Sequence, residues 1–244
     1  MQIVMSVDFG HDDQLIFAQQ LGVNNVLVRI NQSWNHEIIE QVKNRVKQCG
    51  LVLVGLEGFD PKHECADNSV IAAGETGVTL LSTFMKESNQ NIQRPIGRGN
   101  ALVSTIKDEI YEDPIESVSH LAKKNNVKIA WTYPYVSNKP STGIDLQITE
   151  WSKTQERQLA QTKAPVYIAR VGNRIGKNQA FLDDGEISLP QTLRKLQSLG
   201  FSGYIATTPP PGLIDDTDWR HKGRSHDVGY LKAIIQTLES CQGH

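Results

Sequence analysis

The sequence has only three cysteines in 244 residues, Cys49, Cys65 and Cys241. Their odd number and wide spacing support neither a disulfide framework nor a zinc knuckle. An excess of one charge is missing too: 25 Lys and Arg stand against 27 Asp and Glu, a net charge of −2. That gives no footprint for nucleic acid or for an anionic membrane surface, so neither is expected as a partner. No apolar run approaches the roughly 20 residues needed to cross a bilayer. The opening Met1-Gln-Ile-Val-Met-Ser-Val-Asp lacks the basic and apolar regions of a secretion signal and reads as a strand. A cytoplasmic protein is the expectation, with a signal already removed as the alternative. Low-complexity tracts and linker-like stretches are also lacking, so residues 1–244 read as one domain.

What is there is alternation. Short apolar, β-branched runs alternate with amphipathic stretches, the pattern of parallel βα units. The runs are Ile3–Val7, Val26–Ile30, Leu51–Leu56, Val78–Phe84, Val127–Trp131, Val166–Val171 and Tyr204–Thr207. Helices are predicted over Asp12–Leu21, His36–Gln48, Asp113–Asn126, Ile148–Thr162, Pro190–Leu199 and Gly229–Leu238. Ile38, Ile39, Val42 and Val46 recur at helical spacing, and Gly50 and Gly200 stand where helices end. These are seven clear strands. The length suits one TIM-like α/β barrel and falls slightly short of the roughly 250 residues of a full eight-unit one.

In such a barrel the active site lies at the C-terminal ends of the strands. That rule selects Asp8, His11 and Asp12 after the first strand and Glu57, His63 and Glu64 after the third. Arg98 and Lys107 follow the fourth, Tyr133 and Tyr135 the fifth. Arg170 and Asn173 end the next strand, and the charged loop Asp215 to His226 carries Arg220, His221 and Arg224. Arg is suited to a carboxylate because its planar fork makes two parallel hydrogen bonds, while Tyr, His and Lys pass protons once tuned. Each residue also has a plainer reading. Glu57 would pair with an Arg of a neighbouring strand, and Arg98 and Arg170 would form ion pairs inside the barrel. His63 and Lys107 would be loop charges, Tyr133 and Tyr135 packing at the mouth. Residues 215–226 would be a solvated loop instead of a lid supplying His221 or Arg220.

Several segments carry a resemblance. Phe181-Leu-Asp-Asp-Gly-Glu-Ile-Ser-Leu-Pro, Leu193 to Gly203, Pro211-Gly-Leu213 and Val228-Gly-Tyr-Leu-Lys-Ala-Ile-Ile resemble the C-terminal part of the mannonate dehydratase family. Leu56-Glu57-Gly-Phe-Asp-Pro-Lys-His63-Glu64 resembles that family's Glu-Ser-x-Pro-x-His-Glu loop, and Arg98-Gly-Asn-Ala101 its Arg-Gly-Gly-Ala segment. The family is a xylose-isomerase-like (β/α) barrel that uses a divalent metal, so the resemblance implies that fold. Its ligands are not matched. Thr207-Thr208-Pro209 stands where the family has Pro-Asp-His, and Trp131-Thr132-Tyr133-Pro134 where it has His-Pro-Asp-Asp-Pro. Ile168-Ala-Arg170 lacks the family's His, and its metal-binding Cys falls in a strand not recognised here. One barrel strand therefore reads as deleted or degenerate, and no metal or other cofactor is expected.

The resemblance implies removal of water from a sugar acid or from a uronic-acid residue, for instance at the end of an oligosaccharide, by acid–base chemistry. Arg98 and Arg170 would hold the carboxylate, with Asn173, Tyr135, Lys107 and Arg220 around the sugar. His63 and Tyr133 would be acid and base in either order, with Glu57 and His221 as further proton carriers. A sugar isomerase or epimerase of the same superfamily, and a non-catalytic binder of a sugar acid or of a partner protein, are the alternatives. The expected partner is a carboxylate-bearing small molecule or oligosaccharide; a homo-oligomer is left open.

Overall fold

The computed structural model describes residues 1–30, 34–84, 92–93, 103–104, 116–132, 139, 141–162 and 164–240. The elements run β1 (Gln2–Asp8), α1 (Asp12–Gln20), β2 (Asn25–Arg29), α2 (His36–Gln48), β3 (Val52–Glu57), α3 (Ala66–Glu75) and β4 (Leu80–Ser82). Then come β5 (Ile92–Gln93), β6 (Val103–Ser104), α4 (Glu116–Lys124), β7 (Lys128–Thr132), β8 (Thr142–Ile148), α5 (Lys153–Gln161) and β9 (Val166–Val171). The chain continues through β10 (Asn173–Ile175), β11 (Asn178–Ala180), α6 (Leu189–Ser198), β12 (Tyr204–Thr207) and α7 (His221–Ser240).

Eight strands close a barrel in the order β1-β12-β9-β8-β7-β4-β3-β2, every pair parallel. The strand missing from the sequence reading is β8, so the barrel is complete rather than shortened to seven. Its residues Ile144, Leu146 and Ile148 pack outward with α6 and α7, while Asp145 between them turns inward. Gly143 breaks the run of side chains because a Cβ there would meet the Tyr167 ring at 2.4 Å and the Pro165 carbonyl at 2.6 Å. The chain comes too close for any other residue at that point. Two antiparallel pairs, β5 with β6 and β10 with β11, lie outside the barrel.

Local chemistry explains the helices. Asn35 caps α2 by accepting the Ile38 amide at 2.9 Å, and Ile39, Val42 and Val46 form its buried stripe. Ser152 and Gln155 form a capping box on α5, which begins at Lys153 because Ile148 belongs to β8. Helix α7 starts at His221, well before the expected Gly229, and so takes in the second half of the charged loop.

The interior is layered. An apolar plug of Val4, Leu27, Val54, Leu80, Ala130, Ile168 and Ala206 fills the barrel. Side chains two residues apart on a strand share a face, so the next layer toward the C-terminal ends is fixed by the same strands. It is polar: Val4 leads to Ser6, Leu27 to Arg29, Leu80 to Ser82, Ala130 to Thr132 and Ile168 to Arg170.

Candidate active site

The polar layer is a connected ring of charges. Arg170 grips Asp145 with two bonds of 2.8 Å, Nε to Oδ1 and Nη2 to Oδ2, and its Nη2 also lies 2.6 Å from Glu57 Oε1. Glu57 accepts from the Ser6 hydroxyl at 2.7 Å and from Arg29 Nη2 at 2.9 Å. Arg29 Nη1 reaches Asp8 at 2.5 Å, and the Ser82 hydroxyl donates to Asp145 at 2.5 Å. The Phe84 ring covers the Arg170 guanidinium at 3.9 Å. Glu57 and Asp145 are both 0% exposed, which such charges tolerate only when paired and hydrogen-bonded.

These contacts divide the acidities. Burial pushes Glu57 up, but Arg170, Arg29 and the Ser6 hydroxyl outweigh it and hold the carboxyl below the ordinary range. Burial also pushes Asp145 up, and there it prevails over Arg170 and Ser82, aided by the nearby Glu57 charge. Burial lowers Arg170, yet Asp145 and Glu57 more than restore it, so its charge is permanent.

Arg224 completes the ring from α7. Strands β1 and β12 pair only at Gln2 and Ile3, and farther along, the Ser6 carbonyl accepts instead from Arg224 Nη1 at 2.8 Å. Burial and the Arg29 charge pull Arg224 down to about 10. The Nε atoms of Arg224 and Arg29 are buried and have no hydrogen-bond partner among the described residues.

The structure places the expected residues in three groups. Glu57 and Arg170 belong to the ring, but as each other's counter-charges. The Arg170 fork is thereby filled by Asp145 and Glu57. Glu57 spends its two oxygens on Arg170, Arg29 and the Ser6 hydroxyl. Asn173 bonds backbone: its Nδ2 donates to the Leu182 and Ile187 carbonyls and its Oδ1 accepts from the Arg174 and Ile187 amides. All four of its bonding positions staple backbone. Arg220 ties the Pro210 carbonyl and Gln179 to the start of α7, close enough to act on Arg224. His221 contacts Asp216 at 2.9 Å, Thr217, Phe17 and Trp219, none of them in the ring. His63 is exposed on the loop after β3, and its Nδ1 accepts the Cys65 amide, which makes the neutral ring the Nε2–H tautomer. Tyr133, Tyr135, Arg98 and Lys107 lie outside the described residues. Ser6, Arg29 and Asp145 were missed. For the first two, the step from Val4 to Ser6 and from Leu27 to Arg29 on one strand face was the available signal.

A divalent metal, which the resembled family would bring, does not fit the central carboxylates. Each oxygen of Glu57 and Asp145 already accepts from a guanidinium, and a cation between them would fall on Arg170. Among the described residues no three His, Cys, Asp or Glu side chains gather into a group able to hold a metal ion.

No protein-family model and no curated protein sequence matches the chain. Solved structures do match in fold. Mannonate dehydratase from Streptococcus suis serotype 2 aligns at a TM-score of 0.72 and 13% identity, over 100% of this chain and 96% of that one. A xylose isomerase domain protein from Planctomyces limnophilus aligns at 0.65 and 13%, over 98% of each. L-ribulose 3-epimerase aligns at 0.63 and 11%, over 100% and 97%. At such identities the likeness is one of fold: like these structures, this chain is a closed parallel (β/α) barrel.

Proposed function

We propose that this protein is an enzyme that removes water from a sugar acid or a uronic-acid residue at the C-terminal end of its barrel, by proton transfer between side chains. The observation that carries the reading is the charge of the ring. Its three guanidiniums, Arg29, Arg170 and Arg224, stand with three carboxylates, Asp8, Glu57 and Asp145, yet among the described residues Arg224 has no carboxylate within ion-pair distance and bonds only a neutral carbonyl. A guanidinium left without a counter-charge favours an anionic sugar and stabilises the enolate-like charge that grows beside a carboxylate when the adjacent proton leaves. Arg170, Glu57 and Asp145 position this frame. Tyr133, which follows Thr132 of β7 directly in sequence, and His63 are assigned base and acid in either order, with Arg98 as a further carboxylate contact. Tyr133→Phe and His63→Ala should each lower turnover about 100-fold or more, as loss of a positioned proton carrier does. Unchanged turnover in both variants would overturn the assignment.

A second reading is favoured by the fold likeness to L-ribulose 3-epimerase. Sugar epimerisation begins with the same removal of a proton beside a carbonyl. Product analysis separates the two, since dehydration yields a product lighter by one water and epimerisation conserves mass.

A further inference from the structure

We infer that Arg224, with Arg29 beside it, forms the subsite that takes the carboxylate of the sugar acid. This rests on the dehydration reading for its place in a reaction, though binding tests it separately.

Each cation of the ring has a different share of partners. The Arg170 fork is filled by Asp145 and Glu57, and Arg29 is shared between Asp8 and Glu57. Arg224 has no carboxylate within ion-pair distance among the described residues, and its one bond is from Nη1 to a neutral carbonyl. Yet its side chain is more than nine-tenths buried, as is that of Arg29. A buried donor without an acceptor carries its full desolvation cost, and two of them on adjacent like charges call for a reason.

A ligand carboxylate supplies one. Tying Nη1 to the Ser6 carbonyl leaves the Nε–Nη2 edge of Arg224, which can grip a carboxylate with two parallel bonds. The second orphan, Arg29 Nε, lies on the neighbouring guanidinium. One anion against Arg224 would satisfy its buried donor and relieve the repulsion from the Arg29 charge. The location also fits, because Arg224 fills the part of the β1–β12 seam left open toward the C-terminal ends. The subsite would fix the acid end of the sugar and leave its carbon chain to the residues of the βα loops.

The test is calorimetric titration of the full chain with D-glucuronate, D-galacturonate and D-mannonate, each beside D-glucose, D-galactose and D-mannose. At least one acid should bind at least about tenfold tighter than its neutral counterpart, as expected for a charge-assisted pair. Arg224→Gln should weaken that acid at least about tenfold and leave neutral sugars unchanged, with Arg224→Lys in between. Melting curves establish that each variant is folded. If Arg224→Gln does not fold, Arg224→Lys decides, because it keeps the charge and loses the fork. Equal binding of acids and neutral sugars, no binding of any acid, or full affinity in a folded variant would overturn the subsite. Carboxylate binding that depends on Arg224 without release of water would keep the subsite and remove the dehydration reading. Release of water untouched by Arg224→Gln would do the reverse.

Discussion

Arg170 and Asp145 meet edge to edge across neighbouring strands β9 and β8, joined by two hydrogen bonds of 2.8 Å in the fully buried heart of the barrel. The pair ties β8, the strand that the sequence concealed, to β9.

Removing one side of this arrangement should therefore be costly. Arg170→Met strips Asp145 of its main counter-charge and Glu57 of one of two. A loss of about 3–5 kcal/mol is expected in urea unfolding, the usual cost of stranding a buried charge. Adding Asp145→Asn to the same chain should recover part of it. Arg170→Met within about 1 kcal/mol of the natural sequence would contradict the ion-pair account.

The seam between β8 and β9 depends on Gly143. Gly143→Ala places a methyl group at 2.4 Å from the Tyr167 ring and 2.6 Å from the Pro165 carbonyl. Because one obstacle is backbone, a rotamer change alone does not relieve it. A destabilisation of about 1–3 kcal/mol is expected, measured by thermal or urea unfolding.

Much of the fold was legible because its signal is periodic. The stripe Ile39, Val42, Val46 and the helix-ending Gly50 were read directly from spacing, and so were most strands. Strand β8 escaped because it opens on Thr142-Gly143 after a Ser/Pro-rich stretch, the composition of a turn. Its alternation of Ile144, Leu146 and Ile148 with Asp145 and Gln147 was hidden behind that opening. The site was less legible for a different reason. Sequence marks which charges sit at strand ends, but not which of them neutralise one another. Arg170 and Arg224 look alike on paper, and only packing separates the one held by two carboxylates from the one held by a carbonyl. The sequence likewise gives no sign of the four backbone bonds of Asn173.

Asp227 should give the fold a pH dependence. Its buried carboxyl accepts the Leu182 amide at 3.1 Å and lies beside His226, and burial pushes it from 3.8 up to about 6. The folded chain then holds this proton more tightly than the unfolded chain. The group's stabilising contribution is full below about pH 4 and is lost as pH rises through about 6, by roughly 2–3 kcal/mol. Asp227→Asn keeps an acceptor for Leu182 and should abolish that slope, making the variant the more stable at pH 7.5. Asp227→Ala leaves the Leu182 amide unsatisfied and should cost about 1–3 kcal/mol. Urea unfolding at pH 4.5 and pH 7.5 checks both.

The central claim is tested most directly by mass spectrometry of uronic acids, aldonic acids and uronate-ended oligosaccharides after incubation with the purified protein, with and without EDTA. The account predicts a product lighter by one water that forms equally with the chelator present. Loss of that product in EDTA would contradict the account of the central carboxylates, and products of unchanged mass would contradict dehydration itself.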